Sequence, residues 1–219
     1  MYRDIFFDFN GTIIDDLDLC VELLNDFLKE QGKKTLTKDE YKHVFKFPIK
    51  QYYIDSGIDF SIESYESLSI RFIKAYQPRS MTCGLFPHVV DTVLKLKEMG
   101  IRVYILSASE QNNLLEQTDN YGITKYFDKV LGIDNIHAAS KIDIALDFMK
   151  KSGIKKEETL FIGDTLHDDE VAKAMGVDCV LVSSGHQAED ILKTSGRKVI
   201  PSVSDIFSVI SWKTMSFSL

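Results

Sequence analysis

The chain is short of three things, and each shortage narrows what it can be. Cysteine is scarce: Cys20, Cys83 and Cys179 are odd in number, far apart, and form neither a C-x-x-C pair nor a metal-ligand spacing. A reducing compartment fits that usage best. Long apolar runs are missing too. No uninterrupted stretch would span a bilayer, and Met1-Tyr2-Arg3-Asp4 leads into a strand-like run without an apolar signal core, so a cytoplasmic protein with no membrane partner is expected. Positive charge is in deficit: 26 Lys and Arg against 33 Asp and Glu give a formal net charge of -7, which would repel a nucleic-acid backbone and predicts no such partner. The one basic cluster, Lys29, Lys33, Lys34, Lys38, Lys42, Lys46 and Lys50, is interleaved with Glu30, Asp39 and Glu40, as on a solvated helix face or a surface steering an anionic substrate. Internal repeats and low-complexity tracts are also lacking.

What is present reads as an ordinary globular chain. Its 219 residues, 44% of them hydrophobic, suffice for one full core and a small appended domain. From residue 85 onward, short β-branched runs alternate with helix-period segments that end in glycine, the pattern of a parallel sheet covered by helices. The runs are residues 101–106, 159–163 and 179–182, with 5–7 as the opening strand and 198–200 as a late one. Between them, residues 88–99, 142–152 and 169–175 carry helical periodicity and are closed by Gly100, Gly153 and Gly176.

Residues 15–81 break that alternation. Leu17, Val21, Leu24 and Leu28 share a helical face, Thr37 with Glu40 spaces a capping box, and Ile62, Tyr65, Leu68, Phe72, Ile73 and Tyr76 form another stripe before Pro78. The insert therefore reads as all-helical, its aromatic residues filling a small core of its own. Asp15 is placed at the start of the first of these helices. The expected architecture is an α/β Rossmann-like parallel sheet, residues 1–14 and 82–219, with an inserted helical cap domain at 15–81.

Where three strands end, a polar residue follows: Asp8 after the first, Ser107 after residues 101–106, Asp164 after residues 159–163. In open parallel sheets ligands sit beyond the carboxyl ends of the strands, so these side chains can share one crevice. Singly, each residue also has an ordinary role as turn former, solvated lysine or loop carboxylate.

In order and spacing the chain resembles the haloacid dehalogenase (HAD) superfamily, in its phosphoglycolate-phosphatase-like branch. The residues that carry the resemblance are Asp8-Phe9-Asn10-Gly11-Thr12, then Ser107, then Lys141, then Gly163-Asp164-Thr165-Leu166-His167-Asp168. A narrower likeness to HAD hydrolases lies in Gly185-His186-Gln187. The resemblance implies a phosphatase of small phosphorylated metabolites, monomeric or homodimeric, using Mg²⁺ held by Asp8, the main-chain oxygen of Asn10, Asp164 and Asp168. Asp8 would be the nucleophile, Asn10 and Lys141 would act beside it, and Ser107, Ala108 and Lys141 would bind the phosphoryl group. Asp169 is assigned to the helix start, and His88 and His167 are left without a role.

Asn10 departs from the pattern, which has a second aspartate there. An amide neither gives a proton to a leaving alcohol nor takes one from water, although it can donate a hydrogen bond to the leaving oxygen. Losing general acid-base help costs about 10²–10⁴ in rate. A slowed phosphatase that prefers acyl or aryl phosphates is therefore expected, with Asp15, Asp16 or His167 as possible substitutes for the acid. The alternative is a catalytically weak HAD-fold protein that binds a phosphorylated metabolite or a protein partner. A metal-free dehalogenase would leave Asp164 and Asp168 without a purpose, and a phosphomutase would lean hardest on the missing acid.

Overall fold

The computed structural model describes residues 1–133 and 140–215, with side chains as far as residue 210. Among the described residues six strands run in chain order as β1 Asp4–Phe7, β2 Arg102–Glu110, β3 Lys129–Ile133, β4 Thr159–Gly163, β5 Asp178–Val182 and β6 Lys198–Ile200. All pair in parallel, in the spatial order β3-β2-β1-β4-β5-β6. The order reverses at β1, which puts a crevice beyond the carboxyl ends of the central strands. β3 was not among the expected strands, because Val130 and Leu131 are followed at once by Gly132 and make too short a run to stand out.

The strands are apolar throughout because both faces of the sheet are covered. Alternate side chains enter opposite layers: Ile5, Phe7, Val103, Ile105, Leu160 and Ile162 on one side, Phe6, Tyr104, Leu106 and Phe161 on the other. The first layer is closed by helices α5 (Val89–Glu98), α6 (Gln111–Asn120) and α10 (Ile206–Met215). The second is closed by α7 (Lys141–Ser152), α8 (Leu166–Met175) and α9 (Glu189–Lys193). Phe161 is fully buried at the centre, and truncating it to alanine should cost about 3–5 kcal/mol.

The helical insert comprises α1 (Leu17–Glu30), α2 (Lys38–Val44), α3 (Ile49–Asp55) and α4 (Tyr65–Ser80) around its own core of Leu24, Phe27, Leu28, Tyr41 and Leu68. The capping box forms: Glu40 N–H donates to Thr37 Oγ1 at 3.1 Å, and Thr37 N–H to Glu40 Oε2 at 2.8 Å. Three local expectations need correction. Ile62 precedes α4 and is exposed, as is Ile73, because the inward face of α4 is Leu68, Phe72 and Tyr76. Pro78 does not end α4; the last turn is held instead by the Tyr121 hydroxyl on the Ser80 carbonyl and by Ser80 Oγ on the Gln77 carbonyl, 2.8 Å. The residue preceding α1 is Asp16, and its side chain does not cap the helix.

The two passages between sheet and insert lie side by side. Asp15 N–H donates to the Gly84 carbonyl at 3.1 Å and Phe86 N–H to the Ile13 carbonyl at 2.9 Å. Of the basic cluster, Lys29, Lys34, Lys38 and Lys46 pair with acids, whereas Lys42 reaches the Ser183 carbonyl of the sheet domain at 2.9 Å. Among the described residues no helix is long and apolar enough to cross a membrane.

Candidate active site

The tip of β1 sets the floor of the cavity that lies between sheet and insert. Asp8 is the first residue beyond the strand; Phe9, fully buried, anchors the following turn by accepting the Ile13 and Ile14 amides at 2.8 and 3.0 Å. Gly11 sits at φ 72, where a side chain is strained, and a β-carbon there would strike Asp164 and His186. Asp164, fully buried, follows β4 directly. Lys141 opens α7 and is buried; its ammonium donates to Asp8 Oδ1 and, at 2.7 Å, to Asp168 Oδ1. Asp168 spends its other oxygen on the motif loop, accepting Asp164 N–H at 3.1 Å, Thr165 N–H at 3.0 Å and Thr165 Oγ1–H at 2.8 Å. It therefore holds Lys141 and the loop in place, and would reach a metal most readily through water.

Asp8, Asn10, Ser107, Ala108, Lys141, Asp164 and Asp168 all line this one cavity. Ser107 does not end its strand as expected. β2 runs on to Glu110 through a register shift against β3 beyond Leu106, and such irregularities re-aim side chains. Ser107 Oγ accepts the Ser109 amide at 3.1 Å, and Ser109 Oγ, two residues on, donates to Asn10 Oδ1 at 3.1 Å. Nothing in the sequence singled out Ser109.

Oxygens of Asp8, Asp164 and Asp168 lie within 4.8 Å of one another. Lys141 alone does not balance them. Burial, with Asp168 and Asp164 nearby, pushes the Asp8 carboxyl well above the carboxylate range despite Lys141, and burial with Asp168 pushes Asp164 up to about 6 despite His186. A buried, all-oxygen cluster with excess negative charge suits a hard divalent cation, which would lower both values.

A family model for haloacid dehalogenase-like hydrolases matches residues 5–182. The chain belongs to that family. A phosphoglycolate phosphatase of Pseudomonas fluorescens (strain Pf0-1) is 27% identical over 225 residues, 95% of this chain and 82% of its own. Phosphoglycolate phosphatase 1 of Pseudomonas aeruginosa is 24% identical over 214 residues, 93% and 78% of the two chains. In structure, a haloacid dehalogenase-like hydrolase from Streptococcus pneumoniae superposes with a TM-score of 0.80 at 18% identity, covering 95% of this chain and 98% of that one.

Within this HAD fold the side chain of Asn10 is built into a second network. Its Nδ2 donates to Asp16 Oδ2 at 3.0 Å and to the Tyr76 hydroxyl at 2.6 Å. The amide is thus engaged by Asp16 and Tyr76, which compete with the expected donation to a leaving oxygen. Tyr76 donates onward to Asp16 Oδ2 at 2.6 Å, and Asp16 Oδ1 accepts the Gly11 amide at 3.0 Å and faces His186 Nε2 at 3.1 Å. His186 Nδ1 meets the Tyr41 hydroxyl at 3.0 Å, and the His186 amide binds Asp164 Oδ2 at 2.6 Å. Burial alone would lower the imidazole, but Asp16 outweighs it and raises His186 to about 9; burial would raise Asp16, but His186, Tyr76 and Asn10 together hold it low. Both shifts favour the charged forms of this buried pair.

Asp16 was one of the acids named as a substitute; Tyr76 and His186 had no assigned role, the first sitting in an aromatic stripe and the second in the Gly-His-Gln motif. Gln187 of that motif clasps insert to sheet, its Nε2 on the Phe45 carbonyl at 2.7 Å and its Oε1 on Leu166 N–H at 2.6 Å. His167 lines the cavity, stacked on Phe47 at 4.3 Å and paired with Glu170 at 3.0 Å; His88 is exposed at the start of α5 and lies outside the cavity lining. Asp169, in the first turn of α8, is also buried against Arg197 and Lys173, both at 2.6 Å. Finally, the insert's aromatic residues do more than fill its core: Tyr41, Tyr52 and Tyr53 belong to that core and line the cavity as well.

Proposed function

We propose that the chain is a Mg²⁺-dependent phosphatase of a small phosphorylated metabolite, working through an aspartyl-phosphate on Asp8. The observation that carries this reading is the buried Asp8 carboxylate at the tip of β1, gripped by Lys141 and flanked by Asp164 and Asp168. Asp8 attacks phosphorus as the bond to the leaving oxygen breaks, and water then cleaves the acyl phosphate to return Asp8 and release phosphate. Lys141 and Ser107, with the backbone beside Ala108, hold the transferred phosphoryl oxygens. Asp8, Asp164 and the Asn10 main-chain oxygen would ligate Mg²⁺, with Asp168 behind them; the ion would supply neutralising charge between carboxylates and phosphate. Membership of a hydrolase family and the likeness to phosphoglycolate phosphatases support the same chemistry.

One observation favours the alternative of a weakly catalytic binder of phosphorylated metabolites: the Asn10 amide, which cannot transfer a proton, is engaged by Asp16 and Tyr76. Phosphate release separates the two readings. The phosphatase releases phosphate only with Mg²⁺ and loses that activity in Asp8→Ala; a binder retains phosphorylated ligands and releases nothing.

A further inference from the structure

We infer that the substrate is a monocyclic aryl monophosphate without a second anionic group, its ring held by the aromatic roof of the cavity. This deepens the phosphatase reading and rests on it. The cavity is about 320 Å³, small for a ligand site and sufficient for a phosphoryl group and one ring. Its floor is acidic, and its roof is made by Phe45, Phe47, Tyr52, Tyr53, Tyr65 and Phe72. Phe45 and Tyr52 meet edge to face at 5.0 Å, and Phe72 is stacked on Tyr76 at 5.4 Å. These rings offer faces and edges to another ring.

The supply of cations points the same way. A carboxylate or a second phosphate on the substrate needs a cationic partner when it is buried. Among the described residues Lys141 is the one Lys or Arg lining the cavity, and Asp8 and Asp168 occupy it. The two histidines of the lining face acids of the protein, His186 against Asp16 and His167 against Glu170, and the other nearby cations face elsewhere: Arg71 pairs with Glu30 and Glu63, Arg79 with Glu22, and Lys46 with Asp55. Lys50 lies over the Phe60 and Tyr65 rings, outside the lining. Phosphoglycolate carries a carboxylate that this roof does not answer.

Asn10 completes the case. As the Asp8–phosphorus bond forms, the phosphorus–oxygen bond to the leaving group breaks and its electron pair stays on that oxygen. An amide has no proton to transfer, and this one is engaged by Asp16 and Tyr76, so a leaving group able to depart as an anion and take its proton from solvent is favoured. A phenol, with a pKa near 10, does this readily; an alcohol does not.

The test is initial-rate phosphate release by the Mg²⁺-loaded protein from phenyl phosphate, acetyl phosphate, 2-phosphoglycolate and glucose 6-phosphate. Phenyl phosphate should exceed phosphoglycolate and glucose 6-phosphate in kcat/KM by about 10²-fold. It should exceed acetyl phosphate through a lower KM, because both leave easily and only one has a ring. Phe47→Ala, and separately Phe72→Leu, should cut the phenyl-to-acetyl ratio of kcat/KM about tenfold. Ile73→Arg, at a half-exposed position on the lining, should raise the phosphoglycolate-to-phenyl ratio. Phosphoglycolate handled as well as phenyl phosphate would overturn the aryl assignment and leave a phosphatase standing. Release from none of the four would overturn both.

Discussion

The floor and the roof of the cavity differ in what holds their side chains. On the floor, Asp8, Asp164 and Lys141 are fixed by strand ends and a helix start, and Asp168 is bound by two backbone amides and a hydroxyl. Each residue there is held in one geometry by its partners. The roof is made of rings that also pack the insert's own core, so one tyrosine serves stability and ligand contact at once. Chemistry is therefore concentrated below and selection above, and substitutions on the two sides should fail in different ways. The largest contrast comes from Asp8→Asn. Turnover should fall at least about 10³-fold, while thermal stability holds or rises, because a carboxyl whose pKa burial has raised is costly to keep charged. A fall in melting temperature would mean that Asp8 is structural.

Lys141→Met breaks the floor in the opposite sense. Removing the ammonium leaves Asp8 and Asp168 facing each other without a counter-charge, so this variant should lose about 10²–10³ in turnover and also roughly 3–5 kcal/mol of stability. Thermal melts without and with Mg²⁺ check the electrostatic cause: the ion should recover part of the loss. No recovery would point to packing of the Lys141 stem.

The same contrast explains what could be read in advance. Floor residues announce themselves because strand ends are marked by apolar runs and the polar residue that follows; Asp8 and Asp164 were legible for that reason, and Lys141 through family spacing. Ser107 was legible by position, but the continuation of β2 past it was not, since a register shift depends on the partner strand. In the sequence the roof reads only as an all-helical insert whose aromatic residues fill a small core of its own. Helical periodicity reports which residues face inward, and the inner face of a small domain and the wall of a cavity are apolar alike. Asp16 and His186 are separated by 170 positions and meet only through the fold.

At the seam between floor and roof, the Asp16–His186 pair should give a pH signature. His186 sits at about 9 against an ordinary 6.5, so its contribution is complete below 6.5 and lost as pH rises through 9; that gap corresponds to about 3 kcal/mol. Asp16, held low, contributes above its ordinary range and loses it only in acid. With Mg²⁺ present to quiet Asp8 and Asp164, the stability difference between the wild type and His186→Gln should be greatest just below pH 6.5, decline from there, and be small by pH 10. A difference constant over that range would show the pair to be uncharged.

The smallest expected change is at Asn10, and it probes the seam most finely. An aspartate there would place a carboxylate 3.0 Å from Asp16 Oδ2, where the amide hydrogen now makes a bond. Two carboxyl groups that close cannot both ionise, so they share a proton, and the shared proton lies beside the leaving oxygen. Asn10→Asp should therefore gain about tenfold on an alkyl phosphate such as glucose 6-phosphate, less than the usual worth of a free general acid because Asp16 competes for the proton. Phenyl phosphate, which needs no proton, should change little. The same crowding should cost roughly 1–3 kcal/mol, seen as a lower melting temperature above neutral pH. If alkyl phosphates gain nothing while stability falls as expected, the amide is a structural member of the roof, and the proton must be moved by Asp16 and His186 or by nothing in the chain at all.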